Sequence, residues 1–117
     1  MVSLKRARAL ALSLPEATEQ DHHAMSSFRV RGRIFATVPD AEHIRVMLSE
    51  EEITAAVTEN PACCGALYWG SRLACVVVTL KATNVDLLRD FLVEAWYRKA
   101  PKNLAREFAN LSKNSGT

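Results

Sequence analysis

A single α+β domain, with an antiparallel sheet packed against helices, is the fold this sequence predicts. Its strand-like runs follow one another through short turns, whereas a parallel sheet would need helical crossovers between most strands. Stretches with apolar residues at helical spacing open and close the chain. At 117 residues, 49% of them hydrophobic, the chain is long enough to bury one core without disulfides or metals. The expected order is α-β-β-β-α-(β)-β-α-α, and one domain spans 1–117.

Each element has its own signal. Leu4, Ala7, Ala11 and Leu14 fall on one helical stripe, with Lys5, Arg6 and Arg8 off it; Ser3 can cap this helix and Pro15 ends it. The stretch from Glu16 to Met25 is polar and irregular. Ser27 to Val38 (SFRVRGRIFATV) reads as two strands around a turn. A three-residue loop, Arg31-Gly32-Arg33, would put Phe28, Val30, Ile34, Ala36 and Val38 on one face, whereas a two-residue loop mixes that face. The three-residue loop is therefore expected. Pro39-Asp40 marks a turn.

His43 to Leu48 is a third strand with Ile44, Val46 and Leu48 inward. Ser49 followed by Glu50, Glu51 and Glu52 starts a helix, since a capping hydroxyl and negative charge both suit a helix N-terminus. That helix reaches Glu59, and Asn60-Pro61 stops it. Ala62 to Arg72 is a loop with a short strand possible at Leu67 to Trp69. Leu73 to Leu80 is the most apolar run and predicts a central strand. Asn84 caps a long helix to Ala100, buried along Leu87, Leu88, Phe91, Leu92, Ala95 and Trp96. After Pro101, Asn103 to Leu111 forms a last helix, and the tail from Ser112 is expected to fray.

The net charge of +2 is too small to name a partner; only its distribution could. The basic cluster before an apolar run at the start resembles a signal peptide in order. Arginines interrupt the run, however, and no small-residue cleavage site follows before Pro15. No stretch approaches a membrane span, so a cytoplasmic protein without a membrane partner is expected. Cys63, Cys64 and Cys75 are an odd number, and neighbours pair only with strain, so structural disulfides are not expected.

Three stretches resemble the YjbR/MmcQ family. They are Leu14-Pro15-Glu16-Ala17-Thr18-Glu19 after a short helix, SFRVRGRIFATV with Arg33 before the Phe35 strand, and EAWYRKAPKNLAREF from Glu94 to Phe108. The likeness extends in order and spacing over nearly the whole chain. It implies a CyaY-like (frataxin-like) fold, termed double-wing in this family, and DNA binding. Family members often carry a tryptophan where the last strand starts. Here Ala74-Cys75 stand there, with Trp69 a few residues earlier.

Without the resemblance, the residues lead to a compact mixed domain with a basic hairpin. Arg29, Arg31 and Arg33 crowd that hairpin and Arg45 lies on the next strand; guanidinium forks match phosphate oxygens. Lys99 and Lys102, with Arg98 and Arg106, sit near the last helix junction. These six, Arg29, Arg31, Arg33, Arg45, Lys99 and Lys102, are the candidate nucleic-acid contacts. The same charges could equally form a solvated surface, or pair with Asp40 or Glu42. Tyr68, Trp69 and Tyr97 can stack on bases or fill the core, while Trp96 belongs to the core.

Asp21-His22-His23 lacks a third ligand at useful spacing for a metal. Glu16, Glu19 and Asp21 are similar to the acidic ridge of frataxin-like iron binders, but three separated acids in a loop are ordinary. No nucleophile elbow or phosphate-cradling glycine loop is present, and Cys63-Cys64 has no histidine close by in sequence. A non-enzymatic protein without cofactor or metal is expected: first a weak, non-specific DNA binder; second a protein-interaction or small-ligand adaptor; third a frataxin-like metal binder.

Overall fold

The computed structural model describes residues 1–22 and 24–115, with side chains at 1–21 and 24–111. Helix α1, Leu4–Leu12, is capped by the Ser3 hydroxyl, which accepts from the Arg6 amide at 3.1 Å. It ends one turn short of Pro15, as the residue before a proline disfavours helix. The next segment departs from expectation. Ala17–His22 is strand β1, paired antiparallel with β2, Met25–Val30, from Ala17↔Val30 to His22↔Met25. Its sequence, ATEQDH, has no apolar alternation because it is a sheet edge, held by backbone pairing with β2 and by the Arg8–Glu19 ion pair.

Strand β3, Arg33–Asp40, pairs with β2. The turn between them has two residues, Arg31 and Gly32, both with positive φ (51° and 81°), as the tight I′ hairpin requires. The expected three-residue loop is thus corrected. The conflict over faces is removed by a β-bulge: Phe28 pairs with Ala36, but Arg29 pairs with Ile34, leaving Phe35 as an extra residue. Phe35 and Ala36 both point inward and are fully buried, while Ile34 turns outward.

Pro39 and Asp40 also prove to be strand rather than turn. The turn is Ala41-Glu42, where the Asp40 carboxylate accepts from the Glu42 amide at 2.8 Å and meets His43 Nδ1 at 2.9 Å. Strand β4 is His43–Val46, shorter than expected, although Leu48 is still buried. Helix α2, Glu50–Glu59, starts on a reciprocal cap between Ser49 and Glu52. Strand β5, Cys64–Trp69, is longer than the short strand foreseen, and β6 is Arg72–Thr79. After a single 3-10 turn, Asn84 caps α3, Val85–Lys99, and α4 runs over Lys102–Ser115, past the expected end at Leu111.

The six strands form one antiparallel sheet in the order β1-β2-β3-β4-β6-β5, so the chain is an α+β fold. One face carries Phe28, Val30, Ala36, Ile44, Val46, Val76 and Val78 into a core shared with all four helices. Trp96 anchors that core. It is fully buried, lies edge-on to Phe108, and donates its indole N–H to the Pro15 carbonyl at 2.9 Å. This bond ties α3 to the turn after α1.

Antiparallel pairing sends alternate strands in opposite directions. The β2–β3 turn, the end of β4 and the β5–β6 turn at Gly70-Ser71 therefore lie at one end of the sheet. The C-terminal end of α3 reaches the same place, since Arg98 donates to the Met47 carbonyl at 2.7 Å.

Candidate functional site

At that end, and over the sheet face opposite the core, lies a cleft of about 960 Å³. Alternation along the strands brings Arg29, Thr37 and Arg45 to this face, because Phe28, Ala36 and Val46 point the other way. Arg33 reaches it from the start of β3, Arg72 from the start of β6, and Arg98 and Lys99 from the end of α3. Six cations therefore line the cleft, against the single carboxylate of Glu50. Their closeness is felt by Lys99: partial burial, followed by Arg98 and Arg33 nearby, holds its ammonium below the usual lysine range.

The floor has unspent hydrogen-bonding capacity. Thr37 and Arg45 are direct cross-strand partners. Thr37 is 5% exposed, and both its hydroxyl oxygen and the Arg45 Nε are buried without a partner. Both groups can donate to an acceptor that enters the cleft. Arg29 Nε, by contrast, donates to the Ser27 hydroxyl at 3.1 Å, and its stem covers that buried serine.

Of the six candidates read from sequence, the structure brings together Arg29, Arg33, Arg45 and Lys99. Arg31 stands apart. Its guanidinium forks onto Glu16, Nη2 to Oε2 at 2.9 Å and Nε to Oε1, and each partner favours the other's charged form. Lys102, exposed on the first turn of α4, lies outside the cleft lining. The basic group on α1 is also separate, with Arg8 pairing to Glu19 at 3.2 Å.

Arg72 and Thr37 join the site without having been singled out for it; Arg98 had been noted only as part of a charged run, and Trp69 as a ring that can stack on bases or fill the core. The signal for Arg72 is its position next to Gly70-Ser71, which forms a hairpin turn once β5 is recognised. Trp69 pairs across that hairpin with Arg72 and stands 59% exposed on the cleft rim. It lines the cleft together with Ala74, where the resembled family often has its tryptophan. Tyr97 stacks on Phe108 and belongs to the α3–α4 packing.

Two of the acids similar to an iron-binding ridge are engaged by arginine, Glu16 by Arg31 and Glu19 by Arg8. Among the described residues, no three His, Cys, Asp or Glu side chains converge as a metal site would require. His23 lies outside the described residues, as does the His22 side chain. Cys63, Cys64 and Cys75 are free and buried, with 3.6 Å between the Cys63 and Cys64 sulfurs. Burial, followed by the neighbouring Cys63, pushes the Cys64 thiol up to about 12. No helix among the described residues is long and apolar enough to cross a membrane.

A crystal structure of Deinococcus radiodurans protein DR2400, whose family-model domain is DUF419, superposes with a TM-score of 0.71. That match covers 84% of this chain and 78% of the other at 18% identity, which establishes likeness of fold. No curated protein matches the chain. The YjbR family model matches residues 12–98, from the end of α1 through nearly all of α3 and including every strand. With that match over well more than half of its length, the chain belongs to the YjbR family.

Proposed function

We propose that this protein binds nucleic acid, DNA in the first instance, through phosphate contacts in the cationic cleft at the end of the sheet. The observation that carries the reading is the convergence of Arg29, Arg33, Arg45, Arg72, Arg98 and Lys99 on a surface with one carboxylate. A net charge of +2 says little about such a surface, because acids elsewhere offset it. Polyphosphate chains supply the many acceptors that six donors and the orphaned Thr37–Arg45 pair can use.

Phosphate contacts carry no sequence information, so a handful of them gives non-specific binding of micromolar strength. Fluorescence anisotropy with labelled DNA over a salt series tests this. Affinity should fall steeply as salt rises, and Arg72→Glu should weaken it severalfold in a folded protein. Absence of binding at low salt and high protein concentration would remove the reading. Binding of nucleoside phosphates without any polynucleotide binding would favour a small-ligand adaptor in its place.

A further inference from the structure

We infer that the cleft is built for an unpaired strand, with a base stacked on Trp69 and the adjoining phosphates held by the arginines. The inference rests on the nucleic-acid reading and names the form of nucleic acid. Its starting point is the exposed indole on the cleft rim. Trp69 is 59% exposed at the end of β5, while the other tryptophan, Trp96, is fully buried and hydrogen-bonded. An indole face open to solvent beside a concentration of cations offers a platform on which a flat ring can stack.

The chemistry of its neighbours narrows that ligand. Trp69 pairs across the hairpin with Arg72 and shares the cleft with Arg29, Arg33 and Arg45. The ligand must offer a flat apolar face and, next to it, several anionic oxygens. A nucleotide in a strand offers both. In a duplex the base faces are already stacked on one another and closed to a side chain on the outside. An acidic peptide offers the charge without the ring. The floor adds the Thr37 hydroxyl, which lines the cleft and can donate to a phosphate oxygen.

The two tryptophans provide the assay. Trp96 is sealed in the core, so quenching by a bound base reports on Trp69. The probes are a 12-nucleotide oligothymidine, a duplex of the same length and a polyglutamate of matched charge, each titrated at low salt. The single strand should bind about tenfold more tightly than the duplex, a ratio in keeping with one stacked base. It alone should quench tryptophan emission. Trp69→Ala should bring the strand and duplex affinities together, and Trp69→Phe should restore part of the preference.

Equal affinities for strand and duplex with unchanged emission would overturn the inference while leaving phosphate binding in place. Quenching by polyglutamate equal to that by the strand would also overturn it, in favour of an acidic protein partner. Failure of every probe to bind would overturn the inference and the nucleic-acid reading together.

Discussion

Arg31 and Arg33 are two residues apart in one hairpin, yet the structure assigns them opposite consequences. Arg31 is held by a two-pronged pair with Glu16, whereas Arg33 opens into the cleft beside Lys99 and has no carboxylate partner among the described residues. Binding a phosphate with Arg31 would mean giving up Glu16, so it releases no net counterion. For single strands each neutralised phosphate contributes about 0.7 to the slope of log affinity against log salt. Arg33→Gln should therefore flatten the slope by about 0.7. It should also shrink the loss of affinity between 50 and 200 mM salt by roughly threefold, which follows from the same relation. Arg31→Gln should leave the slope unchanged. Both side chains are exposed, so both variants should melt close to the parent, which circular dichroism checks. A slope change for Arg31→Gln as large as that for Arg33→Gln would refute the division of the hairpin into a paired and a binding arginine.

Three further outcomes follow from local geometry. Ser49→Ala removes the hydroxyl that accepts from the Glu52 amide and should cost about 1 kcal/mol, lowering the melting temperature by roughly 4 °C in a calorimetric scan. Burial, then the Glu52 carboxylate, raises the Glu94 carboxyl above its ordinary range, so the folded state holds that proton more tightly than the unfolded chain does. Ionised Glu94 thus disfavours folding above its folded pKa. Glu94→Gln should raise the melting temperature at pH 7, and the difference should close as acid protonates the parent. Native protein should resist iodoacetamide at all three cysteines, because they are buried and Cys64 is pushed up to about 12; all three should react in denaturant, as mass spectrometry would read.

What was legible in the sequence was whatever rests on local chemistry. Ser49 with its three glutamates marked α2 to the residue, and the apolar stripe ending at Trp96 marked the buried face of α3. The β-branched run of Val76, Val77 and Val78 marked the strand paired on both sides. Strand β1 was illegible because an edge strand of polar residues leaves no periodic trace. Its absence from the reading had a cost at the site. Without β1, nothing brings Glu16 to Arg31, fifteen positions away, and Arg31 counts as a free cation. The cations of the cleft could be identified one by one, but their convergence depends on the α2 crossover, after which β6 lies between β4 and β5 and brings Arg72 to the cleft that Arg45 lines.

The hairpin shows how one local feature settles both the fold and the site. An unbroken ladder from Phe28↔Ala36 would pair Arg29 with Phe35 and Val30 with Ile34, and would leave Arg33 in a three-residue loop. Phe35 would then lie on the cleft face next to Arg29, a large ring among guanidinium groups, and the core would lose a fully buried aromatic. That arrangement would put Ile34 inward in its place, so the bulge exchanges an isoleucine for the larger phenylalanine on the core face and buries more apolar surface. A one-residue bulge does so without moving Ala36, Thr37 or Val38. Since two strand residues now oppose one, the turn must shorten by a residue. Gly32 tolerates the positive φ this demands, and Arg31, also at positive φ, forks its guanidinium onto Glu16. Arg33 moves from the loop into the ladder opposite Val30, which sets it at the mouth of the cleft. The placement of Arg33 in the cleft is thus a consequence of where one phenylalanine went.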